Sequence, residues 1–317
     1  MLNRIELIEK IQELPDGPLL FLARCLATLR PLRPYPGWYF GISENSTELR
    51  VQLRRAIWNT CRERRLQKPT ACPWYHRSRI YLYLGNDVSR ATYIGGCIEP
   101  NEFAFIDSVL QEDMVMIDVG ANDGLFTIFA ARRVGKKGRV LAFEPSTREF
   151  ARLQANIRMN RLRNVKAFAK AASNETGVAQ LKICEYGHEG QNTLGEFPYA
   201  VKQAEVQVVE ICRLDEFLQI EKLQRLDVMK IDVEGAEYKV LQGSEETIRK
   251  FRPIILLELL DKALRHQGNS AAQVVQFLLD LDYNIYDFST ISGRLVVSDL
   301  KTHSDNIVAS PRRLADY

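Results

Sequence analysis

The sequence predicts an α/β fold, a doubly wound and mostly parallel sheet with a helical N-terminal extension, and three observations carry that expectation. From about residue 101, short apolar runs such as "MVMIDV", "RVLAFE" and "LDVMKIDV" alternate with helical stretches. These runs are apolar on consecutive residues rather than on every second one, as strands covered on both faces must be. Finally, 317 residues of which 46% are hydrophobic suffice for one large domain plus an extension.

Taken in order, residues 3–30 carry Ile5, Leu7, Ile8, Ile11 and Leu14, then apolar positions from Leu19 to Leu29, spaced for two short helices broken at "PDGP". "RPLRPYPGW" reads as a proline-rich joint. Residues 47–65 read as a basic helix with Leu49, Leu53, Ile57 and Cys61 along one stripe. "RIYLYLG" is a strand, followed by a turn at "GNDVS". Residues 1–85 are therefore expected to form the extension and residues 86–317 the main domain. Within the latter, "MVMIDV" precedes a helix over 124–133, "RVLAFE" precedes one over 147–160, and "NVKAFA" follows. "LDVMKIDV" then precedes a helix over 236–250, "PIILLEL" one over 271–281, and "YNIYDF" closes the series. Residues 176–213 break this rhythm: "VAQLKIC" and "AEVQVVEI" flank "YGHEGQNTLG", which predicts a β-insertion with a mobile loop over one end of the sheet.

The composition narrows the function classes. Runs such as "GPLLFLA" and "PIILLELL" fall well short of the roughly 20 apolar residues that span a bilayer, so no transmembrane segment is expected. Early acids at Glu6 and Glu9 and the lack of a small-residue cleavage site argue against a secretory signal, and a cytoplasmic location is expected. The six cysteines form no C-x-x-C pair and read as reduced structural thiols, not a zinc knuckle or disulfide framework. A net charge of +3 hides an asymmetry, with 15 Lys and Arg against 8 Asp and Glu in residues 1–90 and 28 against 32 beyond. A solvated basic helix face accounts for the excess; a contact with an anionic substrate, a phospholipid surface or an acidic partner is the alternative. No nucleic-acid partner is expected, and the oligomeric state is open, a homo-oligomer included.

In a doubly wound sheet, ligands sit outside the carboxyl ends of the strands. The first strand-to-helix turn here runs from Asp118 through Gly120 and Asn122 to Gly124. A dinucleotide fingerprint starting at Gly120 needs glycines at 122 and 125, where the chain has Asn122 and Leu125, which sets back a nucleotide-dependent oxidoreductase or epimerase. The spacing D-x-G-x-x-x-G fits another ligand: Gly120 lets the backbone turn beside it, Gly124 starts the helix close to the strand, and Asp118 can accept from an amino group. Glu144 ends the next strand, 26 residues on, where a carboxylate can accept both hydroxyls of a ribose. An amino group and a ribose without a phosphate describe S-adenosylmethionine, so these residues point to methyl transfer.

A second cluster lies in "VMKIDVEGAEYKVLQG", where strand alternation puts Lys230, Asp232 and Glu234 on one side and Glu237 follows on the first helical turn. Acids at a helix start also answer the macrodipole, so capping explains part of this. Methyl transfer to oxygen requires an in-line approach and removal of the acceptor's proton, and a carboxylate or histidine within reach can take that proton. Asp232 is the first candidate for base or orienting group, Glu234 the second, and His188 in the insertion loop an alternative. Asp232 and Glu234 could hold a divalent ion, but with no nearby histidine or third acid in the sequence, no metal is expected.

With both clusters in place, the chain resembles the FkbM family of S-adenosylmethionine-dependent methyltransferases. The resemblance rests on "YIGGCIEPNE", "MIDVGANDGLFTIFAARRVGKKGRVLAFEPS", "LQANIRMN", "AASNETGVAQL", "GQNTLG", "LDVMKIDVEGAEYKVLQGSEETI" and "RPIILLEL", in the family's order over roughly residues 93–260. It implies a Rossmann-like class I methyltransferase fold, S-adenosylmethionine as cofactor, and commonly O-methylation of a hydroxyl on a sugar, glycan precursor or secondary metabolite. Position by position, Asp118, Gly120, Asn122 and Gly124 match the family's methionine-end turn and Glu144 its ribose acid. Ser173 and Asn174 lie after the third strand, where such enzymes approach the adenine. Gln191, Asn192 and Thr193 match a loop expected to close over the site, and Asp232 and Glu234 match the fourth-strand motif, with Asp232 also counted among the cofactor contacts. Asp123 departs from the small or apolar residue usual there. Substrate choice is expected to lie in the first 90 or so residues and in the 185–200 loop. A non-catalytic scaffold remains the reading from another class, and a sugar amine is not distinguished from a hydroxyl.

Overall fold

The structure is a computed structural model that describes residues 4–28, 48–197 and 200–314. The proline-rich "RPLRPYPGW" lies outside the described residues. Helices α1 (Arg4–Glu13) and α2 (Asp16–Thr28) are separated at Leu14–Pro15, and α3 (Leu49–Glu63) follows. Strands β1 (Pro69–Pro73) and β2 (Arg79–Tyr83) make an antiparallel hairpin. Where a turn was expected at "GNDVS", helix α4 (Asp87–Gly95) begins, because the Asn86 side chain accepts from the Ser89 N–H and caps it. Helix α5 (Pro100–Val109) leads into the main sheet.

That sheet opens with β3 (Val115–Val119), α6 (Leu125–Arg133), β4 (Arg139–Phe143), α7 (Thr147–Met159) and β5 (Val165–Phe168). The insertion supplies β6 (Lys170–Ala172), β7 (Gly177–Cys184) and β8 (Gln203–Cys212), which form their own sheet in the order β6-β8-β7. Next come α8 (Leu214–Ile220), β9 (Val228–Ile231), α9 (Glu237–Gln242), α10 (Glu245–Phe251) and β10 (Ile254–Glu258). Helices α11 (Asp261–His266) and α12 (Ala271–Asp280), then strands β11 (Asn284–Phe288), β12 (Leu295–Val297) and β13 (Asn306–Ser310), complete the chain.

The order of the large sheet is β12-β11-β13-β10-β9-β3-β4-β5. Strands β3, β4, β5, β9 and β10 are parallel, and β13 runs antiparallel between β10 and β11. This is the class I methyltransferase architecture. The chain winds outward from β3 through β4 to β5, then returns to the other side of β3 at β9 and winds out again, so the order reverses between β3 and β9. A crevice must open there, at the carboxyl ends of the two strands.

Both faces of the sheet are covered, which is why its strands read as unbroken apolar runs. On one face Met116 and Val140 pack with Phe103, Phe126 and Phe129 of α5 and α6, and this apolar cluster continues to Ile57 of α3 and Leu19 of α2. On the other face Ile117, Leu141 and Leu257 pack with Val240, Ile248 and Leu278 of the later helices. Each such side chain contributes about 1.5–3 kcal/mol on burial. The helix expected over 236–250 is instead α9 and α10, with a break at Gly243. A Cβ there would lie 1.9 Å from the Ser173 carbonyl oxygen, and Asp215 caps the restarted helix by accepting from the Glu246 and Thr247 N–H groups.

Two of the arginines behind the basic excess tie helix ends together. Buried Arg54 donates to the Leu26 carbonyl (2.7 Å) in the last turn of α2 and to the Tyr93 carbonyl (3.0 Å). Arg64 donates to the Leu14 and Gln12 carbonyls at the end of α1 and pairs with Asp16 at 3.0 Å. Both serve carbonyls that a helix terminus leaves without an internal donor. Among the described residues no helix is long and apolar enough to cross a membrane.

Candidate functional site

The crevice holds a cavity of about 340 Å³. Its floor is the carboxyl ends of β3, β4, β9 and β10; Asp87, Val88, Ile98 and Glu99 bound it from the N-terminal side and Gln191, Asn192 and Leu194 from the insertion. Since β4 and β10 flank β3 and β9 on opposite sides, Glu144 and Glu258 stand toward opposite ends.

At the β3 turn the backbone makes the site. Gly120 has φ +80°, and a Cβ on it would sit 1.8 Å from the Asp232 carbonyl oxygen, so only glycine lets the turn lie against the end of β9. Asn122, also left-handed at φ 48°, donates its N–H to Glu144 Oε2 at 2.8 Å and its side-chain amide to the Glu189 carbonyl. The Ser146 N–H donates to the other oxygen, Oε1, at 2.8 Å. Glu144 is thereby fixed at the cavity wall, and each oxygen keeps a lone pair for a ligand hydroxyl. Burial, and next the Glu149 carboxylate, push its carboxyl up to about 8.

Asp118 and Gly124 do not line the cavity. Asp118 is fully buried and accepts from Thr127 Oγ1 at 2.5 Å, bracing α6 from behind the turn. Burial raises its carboxyl, against the pull of the Lys230 ammonium. Gly124, at φ 88°, begins α6 against Leu153. Ser173 and Asn174 also lie off the wall: Ser173 is buried and donates its N–H to the Cys212 carbonyl, while exposed Asn174 reaches Gln242. Lys170, Ala171 and Ala172 line the cavity in their place, with Phe143 and Pro145 beside Glu144.

The insertion loop is pinned across the opening. Gln191 and Asn192 line the cavity, and Asn192 donates to Glu149 Oε2 (3.2 Å) while accepting from the Cys184 N–H. Thr193 is buried and donates to the Glu234 carbonyl at 2.8 Å; the Gly190 N–H donates to Asp87. His188 faces Arg62 of α3 at 3.4 Å and is not in the lining.

The β9 cluster lies at the other end. Lys230 pairs with Asp232 at 2.9 Å, its ammonium 4.9 Å from the centre of the Phe126 ring. Burial opposes its charge, but Asp232, Asp118 and Glu99 together hold it firmly protonated. Glu237 accepts from the Val233 and Gly235 N–H groups and is a helix cap, whereas Glu234 lines the cavity. Burial, then Asp232 and Glu237, push the Glu234 carboxyl well above its ordinary range.

Three lining acids were not singled out from the sequence: Asp87 at the start of α4, Glu99 and Glu258. Glu99 precedes α5, and burial with Glu102 and Asp232 pushes it up to about 8. Glu258 ends β10, and burial followed by Glu234 and Asp232 raises it well above the carboxylate range. The signal that marked Glu144, an acid closing an unbroken apolar strand, was present for Glu258 in "PIILLEL".

Known proteins resemble this chain in sequence. The sequence model of the methyltransferase FkbM domain matches residues 118–285, which include the β3 turn, Glu144, Asp232, Glu234 and Glu258. Methyltransferase 1 of Beauveria bassiana is 28% identical over 169 residues, 47% of this chain and 66% of that one. The 2-O-methyltransferase NoeI of Sinorhizobium fredii is 29% identical over 190 residues, 55% of this chain and 74% of its own. Methyltransferase sdnD of Sordaria araneosa is 31% identical over 167 residues, and the chain spans 62% of its length. Among solved structures, methyltransferase FkbM from Methylobacillus flagellatus aligns with a TM-score of 0.41 at 15% identity, over 92% of this chain and 58% of that one. The match over residues 118–285 takes in more than half of the 317 residues, and the chain belongs to the FkbM methyltransferase family.

Proposed function

We propose that the chain transfers a methyl group from S-adenosylmethionine to a hydroxyl of a sugar, glycan precursor or other small-molecule acceptor. The observation that carries this reading is Glu144: a carboxylate fixed by two backbone N–H groups at the cavity wall, both oxygens able to accept from a ribose diol. The Gly120 turn, with no room for a side chain, gives the amino-acid end of the cofactor a bare backbone to lie on. Phe143, Pro145 and residues 170–172 offer apolar surface for the base. Bound there, the cofactor would supply an electrophilic methyl carbon on a sulfonium and leave as a neutral thioether.

The chain's own residues divide the remaining work. Asp118 and Gly124 hold the turn and the start of α6 in place, and Ser173 anchors the chain just after the lining residues 170–172 to Cys212. Asp232 is held by Lys230 and faces the cavity beside Glu234; one of the two orients the acceptor hydroxyl and takes its proton as the methyl–oxygen bond forms. Gln191, Asn192 and Thr193 close the opening, which keeps water from competing as acceptor. His188, turned toward Arg62, takes no part in this reading. Similarity to NoeI, a 2-O-methyltransferase, supports oxygen as the acceptor atom. Six free cysteines, five of them buried, suit a reducing compartment such as the cytoplasm.

The test is calorimetry with S-adenosylhomocysteine, followed by incubation with labelled S-adenosylmethionine and cell extract and mass spectrometry of whatever gains a methyl group. Absence of cofactor binding, or a Glu144→Ala variant that binds like the wild type, removes the cofactor assignment.

A further inference from the structure

The acid-rich end of the cavity contains more carboxylate than the chain neutralises. Asp232 and Glu234 follow β9 and Glu258 ends β10, strands that pair in parallel, so the three residues stand at neighbouring strand ends on the same edge of the sheet. One oxygen from each lies within 4.8 Å of the others. Lys230, the one cation lining this end among the described residues, is directed at Asp232 Oδ2. Glu234 Oε2 and Glu258 Oε2 are sealed from solvent and have no hydrogen-bond partner among the described residues, although parts of both side chains face the cavity. The donors nearby are already spent: Thr193 Oγ1 goes to the Glu234 carbonyl, and the Val233 and Gly235 N–H groups go to Glu237. Shielded carboxylate oxygens without a donor are costly, and in two neighbouring carboxyl groups of one cluster they leave a deficit that a cation would meet.

We propose that Asp232, Glu234 and Glu258 form a binding site for a hard divalent cation of the Mg²⁺, Mn²⁺ or Ca²⁺ class. The ligand set is all oxygen, with no histidine or thiolate, which selects these ions over zinc or copper. The spacing agrees with that class, since oxygens on opposite sides of such an ion stand about 4–5 Å apart, twice the metal–oxygen distance. Lys230 occupies one oxygen of Asp232 and leaves the other for the ion. Three carboxylates leave coordination positions open toward the cavity, where two adjacent oxygens of an acceptor would fit. That last consequence rests on the methyl-transfer reading; the binding of the ion does not.

The experiment is titration of chelator-stripped protein with MgCl₂, MnCl₂ and CaCl₂ by calorimetry, with the electron paramagnetic resonance of Mn²⁺ as a second measure. A single ion should bind per chain, and Glu258→Gln should weaken it by at least tenfold, as should Glu234→Gln. The exposed control Glu196→Gln, whose residue pairs with Lys182, should leave binding unchanged. S-adenosylhomocysteine affinity, measured on the same samples, reports whether each variant is folded and tests the methyl-transfer reading separately. No binding up to about 5 mM ion, beyond the weakest range of carboxylate sites, would overturn the proposal. So would an ion whose affinity neither glutamate variant alters in protein that still binds S-adenosylhomocysteine.

Discussion

Replacing Glu144 by glutamine tests the cofactor end of the site with the least change of shape. In the native chain the two carboxylate oxygens accept from Asn122 N–H and Ser146 N–H, both at 2.8 Å. A glutamine has one oxygen, so its NH₂ group must face one of those N–H donors, and the Asn122 turn or the Ser146 backbone has to shift. A ribose would in addition lose a charged acceptor, and hydrogen bonds to charged groups are worth about 1.5–3 kcal/mol each. One lost ribose contact alone predicts about 10- to 150-fold weaker binding, with the displaced turn adding to it. Calorimetric titration with S-adenosylhomocysteine at pH 9, where the wild-type carboxyl of about 8 is ionised, reads the effect directly. An affinity within about threefold of the wild type, some 0.6 kcal/mol, would mean that Glu144 does not hold the ribose.

The same carboxyl gives a pH signature: binding favours its ionised form, so S-adenosylhomocysteine affinity should fall as pH drops through about 8 and level off above it, by up to about tenfold per pH unit. The sign for the ligand-free fold is opposite. Glu99 and Glu144 are pushed up to about 8, so their stabilisation is full below the ordinary glutamate value of 4.5 and is lost as pH rises toward 8. Thermal melts should therefore show lower stability at pH 8.5 than at pH 6, and a rise over that interval would contradict the burial of these acids. Asp232→Asn should preserve S-adenosylhomocysteine binding while turnover, once an acceptor is found, drops by about 10²-fold or more; unchanged turnover takes Asp232 out of the proton-accepting role. Gly120→Ala places a methyl 1.8 Å from the Asp232 carbonyl oxygen at a positive φ, and should cost upwards of 2 kcal/mol of stability together with cofactor binding. A denaturant melt that overlays the wild type would show that the turn can move away.

The residues that could be read from sequence are those at the ends of main-sheet strands. Alternating apolar runs and helices put β3, β4 and β9 in one mostly parallel sheet, and acids at the ends of such runs marked Glu144, Asp232 and Glu234. Ser173 and Asn174 were displaced from the wall for a reason the sequence does not display. After β5 the chain leaves the large sheet, and β6 pairs with β8 of the insertion, which brings residues 170–172 to the cavity first. Strand β1 passed unnoticed because prolines stand at both its ends, Pro69 and Pro73, and a two-stranded hairpin can carry them where a central strand cannot. The single helix over 236–250 was an error of context: Gly243 is tolerable inside a helix until the Ser173 carbonyl is found against it. Asp118 followed the expected spacing yet sits behind the turn, since spacing fixes a residue's place along a strand and not whether a neighbour such as Thr127 claims its side chain.

Contact between Gly120 and the Asp232 carbonyl also governs how the enzyme can change. The first turn and the β9 end, which carries Asp232 and Glu234, meet through main chain, with the Asp232 N–H bonded to the Val119 carbonyl at 3.1 Å. On the proposed reading, the separation between methyl donor and proton acceptor is then set by this backbone seam. Val88 and Leu194, apolar lining residues, are the positions to exchange for a different acceptor without touching that seam. Acceptor range is then adjustable at such lining side chains, while the geometry is held by a seam that tolerates no side chain at all.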